Sequence, residues 1–174
     1  YLLNFGISKT IVICSNKNKK KIKSISFEGI KYSLIVCLLV FILYIILEQF
    51  FYTKIDDYVI SSELFLVGII LSIIYLTFEG IIQAYKAFVK LSLFNFFFYS
   101  ISLSLPSIYL FFDNNMSIYN LVFFSVSIKF IVILLIVFFL IKNNLIQGKK
   151  NTFFYKSFVK NSPWLTLNSF FVQL

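Results

Sequence analysis

The sequence predicts an all-α fold, a polytopic transmembrane helix bundle, and three observations carry that prediction. First, the 174 residues are 60% hydrophobic and only 13% charged, where a soluble domain sits nearer half apolar and a quarter charged. Second, the apolar residues arrive in runs such as KYSLIVCLLVFILYIILEQ, LFLVGIILSIIYLTF and FIVILLIVFFLI. Runs of this kind approach the roughly 20 residues a helix needs to cross a hydrocarbon core about 30 Å thick. Third, basic and non-basic loops alternate in step with those runs. Backbone groups in lipid must bond one another, so only helices or closed barrels span. The runs are twice strand length and lack strict alternation, which selects helices.

The elements follow in order. Residues 1–14, YLLNFGISKTIVIC, read as the tail of a span; full spans are expected at 30–51, 60–83, 91–112 and 118–141. Residues 142–160 form a basic linker, and 161–174, NSPWLTLNSFFVQL, look like the opening of a further span. The chain begins at Tyr1 without Met and stops at Leu174 inside an apolar segment, so it is expected to be a piece of a larger protein.

The net charge of +9 comes from lysine alone, with no arginine. In a soluble protein such a balance would suggest nucleic acid; here the lysines cluster in short loops, which makes them a topology signal and removes nucleic acid as an expected partner. NKNKKKIKS (16–24), AYKAFVK (84–90) and KNNLIQGKKNTFFYKSFVK (142–160) are basic, whereas YTKIDDY (52–58) and DNNMS (113–117) are not. The positive-inside rule places 15–29, 84–90 and 142–160 in the cytoplasm. Twelve of the sixteen lysines fall in those segments and two more, Lys9 and Lys31, within the adjoining spans toward that side, which makes fourteen, with Lys54 opposite and Lys129 inside a span.

Several chemistries find no residues to carry them. There is no His, and Cys14 and Cys37 lack metal-ligand spacing, so no cofactor or structural zinc of the usual Cys/His kind is expected. The predicted topology puts Cys14 on the cytoplasmic side and Cys37 in the bilayer, which argues against a disulfide. No nucleophile–His–acid set, HExxH or glycine-rich phosphate loop is present, so an enzyme is not expected. Asp56 and Asp57 lie in an outer loop and solvate it.

Polar residues inside the spans fall in stripes. Gly68, Ser72, Tyr75, Glu79 and Gln83 lie on one helical face, as do Ser92, Asn95, Tyr99, Ser102, Pro106 and Tyr109. Ser125 and Lys129 are four apart, and Ser162, Thr166, Ser169 and Gln173 share a face of the last segment. Small and hydroxyl residues of this kind either glue helices together or line a water-filled cavity. Lys129 and Glu79 favour the cavity, because a charge near the bilayer centre costs roughly 2.5–3.5 kcal/mol even on lenient scales. The bland alternatives are snorkelling for Lys129 and contact with headgroup water for Glu79. Pro106 is expected to kink its helix, with Ser102 helping to satisfy the carbonyls it frees.

The order of these features resembles the oligosaccharide (O-antigen) flippases, or polysaccharide biosynthesis transporters, of the superfamily that also holds multidrug exporters. FGISKT (5–10) is similar to the glycine-containing end of that family's second helix. FEGIIQAYKAF (78–88) is similar to its fourth helix running into a cytoplasmic turn, and KLSLFNFFFYSISLSLPSIYLFF (90–112) to its fifth, with an early Asn and a later Pro. The span 118–141 ends in a basic linker like its sixth, and FVKNSPWLTLNSFF (158–171) resembles the opening of its second lobe.

The resemblance implies that residues 1–141 are most of the N-terminal six-helix lobe of a two-lobe transporter in the bacterial inner membrane. It implies alternating access, with an undecaprenyl-diphosphate-linked oligosaccharide as substrate and membrane lipid and the glycan polymerase and ligase machinery as neighbours. Where the family favours Arg, Lys9 and Lys129 are the candidates here. The cavity set is then Lys129, Glu79, Lys9, Ser72, Tyr75, Gln83, Asn95 and Tyr99: a cation for the diphosphate, and hydroxyl, amide and aromatic faces for sugar. Glu79 would hold Lys9 or Lys129 until substrate phosphate competes, or bind a coupling cation; the plainer reading is an interfacial glutamate paired with Lys86. Two rival functions stand beside this one, a cation-coupled multidrug exporter of the same superfamily, which needs an acidic cavity, and a non-transporting membrane assembly protein, whose stripes would be dry helix contacts.

Overall fold

The computed structural model describes residues 6–51, 59–112, 118–146 and 160. Helix α1 (Ile7–Lys17) leads through a single 3-10 turn (Lys19–Lys21) into α2 (Ile22–Phe51). Helix α3 (Val59–Ala84) follows, then α4 (Phe88–Asn95), a π-helical turn (Phe96–Ile101) and α5 (Ser102–Phe112), and finally α6 (Ile118–Lys142). Among the described residues four stretches are long and apolar enough to cross a membrane: Lys19–Glu48, Glu63–Ala84, Phe88–Tyr109 and Tyr119–Lys142. The chain is an all-α polytopic membrane helix bundle.

The expected spans match these elements with three differences. Helix α2 starts at Ile22, not at residue 30, so the basic segment 15–29 is mostly helix rather than loop. Residues 7–10 of FGISKT begin a helix: Gly6 caps α1 with a left-handed backbone (φ 61°), and the helix continues to Lys17, where a polar loop is expected. The span expected at 91–112 begins at Phe88 and carries the π turn in its middle. The expected outer loops 52–58 and 113–117, most of the expected linker 142–160 and the segment 161–174, with its stripe Ser162, Thr166, Ser169 and Gln173, lie outside the described residues.

Helix α3 is the hub and packs on α1, α2 and α6. Its face of Leu71, Ile73, Tyr75, Phe78, Ile81 and Ile82 is buried, whereas α2 turns Leu34, Leu38, Phe41 and Ile42 outward. Exposed aliphatic and aromatic side chains of this density suit a lipid-facing surface.

The tightest crossing is between α1 and α3. A Cβ added to Gly80 would lie 2.6 Å from Ser8 Cα and 2.8 Å from Ser8 O, so the two backbones touch where neither residue carries bulk. Small residues at such crossings let transmembrane helices approach closely. Thr10 keeps its buried hydroxyl satisfied by donating to Gly6 O at 2.9 Å, and Thr77 does the same to Ile73 O at 3.0 Å.

At the lysine-rich end, α3 and α6 stop in the same way. Ala87 N donates to Ile82 O (3.2 Å) and Lys86 N to Gln83 O (2.9 Å), while Leu145 N donates to Leu140 O (3.0 Å) and Asn144 N to Ile141 O (2.9 Å). These are Schellman caps, which need a left-handed residue; Lys86 (φ 57°) and Asn144 (φ 49°) supply it. Asparagine tolerates that region and lysine does not. Lys86→Gly is therefore expected to stabilise the protein by about 0.5–1 kcal/mol, read as a raised unfolding midpoint in detergent. The two ends are joined: Tyr85 donates its hydroxyl to Leu145 O at 2.6 Å. Burial pushes this phenol up to about 12, so it keeps its proton through any physiological pH.

Candidate functional site

The polar face of α3 is where the expected stripes converge, and its spacing is that of an α-helix. Gly68 and Ser72 stand one turn apart, and Ser72 Oγ donates to Gly68 O at 2.8 Å, leaving its lone pairs free to accept. Gly68 opens space toward α6, where a Cβ would meet Val126 Cγ2 at an ordinary 3.6 Å. A cavity of about 470 Å³ lies between α3, α5 and α6, with Gly68, Ser72, Ser102, Pro106, Ser125 and Lys129 in its lining and apolar side chains for most of the rest. Ser125 and Lys129 both face it, as their spacing predicts.

The second expected stripe does not hold. Its steps of three and four assume a continuous α-helix, and the π turn at Phe96–Ile101 breaks that register. Asn95 points inward and Ser102 and Pro106 are buried, but Ser92, Tyr99 and Tyr109 face outward. Phe98, which belongs to neither polar stripe, turns in and is fully buried. Ser102 stitches the turn: its hydroxyl bonds to Phe98 O and lies 3.4 Å from Tyr99 O. Pro106, lacking an N–H, leaves the Ser102 carbonyl without an α-helical donor. The irregularity therefore falls upstream of the proline rather than at it.

Tyr75 and Phe98 stack with ring centroids 3.7 Å apart and planes 13° from parallel. Tyr99 makes T-shaped contacts with both rings, its centroid 5.5 Å from that of Tyr75 and 5.1 Å from that of Phe98. Lys129 Nζ lies 5.6 Å from the Phe98 centroid. Since Tyr75 covers one face of that ring, the ammonium takes the other.

Beyond Tyr75 lies a separate polar cluster. The Tyr75 hydroxyl donates to Asn95 Oδ1. Asn95 is also within hydrogen-bonding reach of Glu79, and Gln83 Nε2 donates to Glu79 Oε1 at 3.2 Å. With its oxygen committed to Tyr75, the Asn95 amide has its NH₂ left for the carboxylate. Glu79 thus has amide partners and pairs with neither Lys129 nor Lys86; among the described residues the ion pair within 4 Å is Lys31–Glu28, at 3.6 Å.

Of the eight predicted site residues, Ser72 and Lys129 line the cavity, while Tyr75, Glu79, Gln83 and Asn95 form the second cluster. Tyr99 meets Tyr75 in a T-shaped contact and is exposed. Lys9 is exposed on α1, opposite the Ile7, Ile11 and Cys14 face that packs inward, so it belongs to neither group.

No family model, curated protein or solved structure matches the chain. What the fold and site define is a class: a polytopic membrane protein whose bundle encloses a largely apolar cavity with a lysine midway along its last described helix.

Proposed function

We propose that this protein is a flippase that carries undecaprenyl-diphosphate-linked oligosaccharide from the cytoplasmic to the outer face of the bacterial inner membrane by alternating access, this bundle acting as one lobe of two. The observation that carries the reading is Lys129, an ammonium held at mid-span in a cavity with serine hydroxyls. A lysine at that depth is costly unless it serves a path or a ligand, and a diphosphate is an anion it can bind as a point charge. The apolar remainder of the lining suits a lipid-linked molecule. A cation-coupled exporter would want its acid in the cavity, and Glu79 lies outside it.

The test is complementation. The gene encoding this chain is expressed in a strain lacking its own O-antigen or capsule flippase, and surface glycan is scored. Wild type is expected to restore glycan. Lys129→Ala should lower it by about ten- to a hundredfold, the worth of one charge-assisted bond of roughly 1.5–3 kcal/mol, with protein still in the membrane, and Lys129→Arg should retain most of it. Glycan unaffected by Lys129→Ala would return the lysine to a structural role; a wild type that rescues no acceptor strain would shift weight to the exporter.

A further inference from the structure

We infer that the Tyr75–Phe98 stack is a closed gate across the lysine-rich end of the cavity, and that the π turn at Phe96–Ile101 is the hinge that opens it. The sequence presents Ser72, Tyr75, Glu79 and Gln83 as one continuous polar face. The fold divides that face in two. Ser72 and Lys129 are on one side of the rings, and Glu79, Asn95 and Gln83 are on the other. Both rings are wholly buried, and at 3.7 Å separation they leave no room for water between them. Neither ring is in the cavity lining, so the stack stands just beyond the cavity, between Ser72 and Glu79 along the stripe.

The rings are held by unequal means. Tyr75 sits on regular α-helix and is anchored through its hydroxyl to Asn95. Phe98 sits inside the π turn, and its carbonyl accepts a hydrogen bond from the Ser102 side chain. A π turn holds one more residue than the α-helical turn it replaces. Converting it to α shifts the register by one residue, which rotates Phe98 by about 100° and moves it by about 1.5 Å along the axis. That rotation takes Phe98 off both Tyr75 and Lys129 at once. Pro106 lowers the cost of the exchange, because the backbone bond at Ser102 is already missing. The gate acts on the cavity assigned above to transport and takes its purpose from that reading, but it is tested by accessibility alone.

The experiment places a single thiol at Ser72 (Ser72→Cys with Cys14→Ser and Cys37→Ser) in the full chain. A membrane-impermeant thiol reagent is applied to sealed vesicles of each orientation. Phe98→Ala is expected to raise modification from the lysine-rich side by about tenfold or more, the change that follows when an open state of a few per cent becomes the majority. Phe98→Tyr, which keeps the stack, should leave the rate unchanged. Ser102→Ala, which removes the side-chain bond to the Phe98 carbonyl and leaves both rings in place, should raise it through the hinge, and a retained cooperative unfolding transition in detergent guards against a collapsed bundle. Equal modification from the lysine-rich side in wild type and Phe98→Ala would overturn the gate. Modification only from the opposite side in both proteins would overturn the gate and leave the transport reading standing. A thiol that resists from both sides in both proteins would make the cavity dry and overturn the two together.

Discussion

Gly80→Ala is expected to destabilise the bundle, although glycine to alanine inside an exposed helix ordinarily gains about 1 kcal/mol. The added Cβ would fall 2.6 Å from the Ser8 backbone, and backbone, unlike the end of a side chain, cannot swing aside. Helix α1 must move off α3, taking Ile7 and Ile11 out of full burial. Overpacking of this kind costs about 1–3 kcal/mol, which in a thermal melt in detergent lowers the midpoint by several degrees. Gly80→Leu should be worse and lose α1 from the bundle, read as new proteolytic cleavage near the lysine turn. Gly68→Ala is the control: its Cβ meets Val126 at 3.6 Å, so it should be neutral or slightly stabilising. A neutral Gly80→Ala would mean that the two helices do not cross at this point.

Asn95→Leu carries the second large effect. The amide serves two partners on α3, accepting from the hydroxyl of buried Tyr75 and facing the carboxylate of half-buried Glu79. Replacing it with an apolar side chain of similar size leaves a phenol without an acceptor and removes a donor from an acid in an apolar bundle. The penalty for such orphaned groups is about 1–3 kcal/mol, above the average of about 0.6 kcal/mol for a hydrogen bond between membrane helices. Adding Tyr75→Phe should recover part of the loss, since removing both partners costs less than removing one. A double-substitution cycle in detergent reads the coupling directly. Additive losses would show that the Tyr75–Asn95 bond is not held in the protein.

The spans and their order were legible because lipid enforces a simple rule on composition, so KYSLIVCLLVFILYIILEQ and its neighbours could be read without knowing what they pack against. Lys129 was legible for the related reason that a charge at mid-span is expensive and needs an explanation. The partners were not. Gly80 is visible in FEGII as a small residue, but nothing in one helix names Ser8 as what it touches. Phe98 is one of three consecutive phenylalanines in NFFFYS, and only a local change of helical register decides that it faces inward while Tyr99 does not. That same change turns Tyr99 out of the stripe where α-helical spacing had put it, while Ser92 and Tyr109 are exposed on the regular helix to either side of the turn. Glu79 and Lys129 were candidates for one another because both are rare inside spans. Two rings that composition cannot position keep them apart.

Helix α2 has 30 residues, which at 1.5 Å each is about 45 Å of helix. The hydrocarbon core is about 30 Å deep, and a 20° tilt lengthens the path through it by only about 2 Å. Roughly eight residues must therefore stand in headgroups and water. Hydropathy puts them at the beginning, where Lys23 and Lys31 occur and the apolar run has not started. There Lys31 lies 4.4 Å from the Phe27 ring centroid and 3.6 Å from Glu28 Oε1, a pairing that would be costly a few turns deeper and is ordinary at this level. One unbroken backbone is thus solvated by two liquids. Its first turns are held by the same balance of charge and apolar burial as any water-soluble helix, and the remainder by what hydrocarbon refuses to accept.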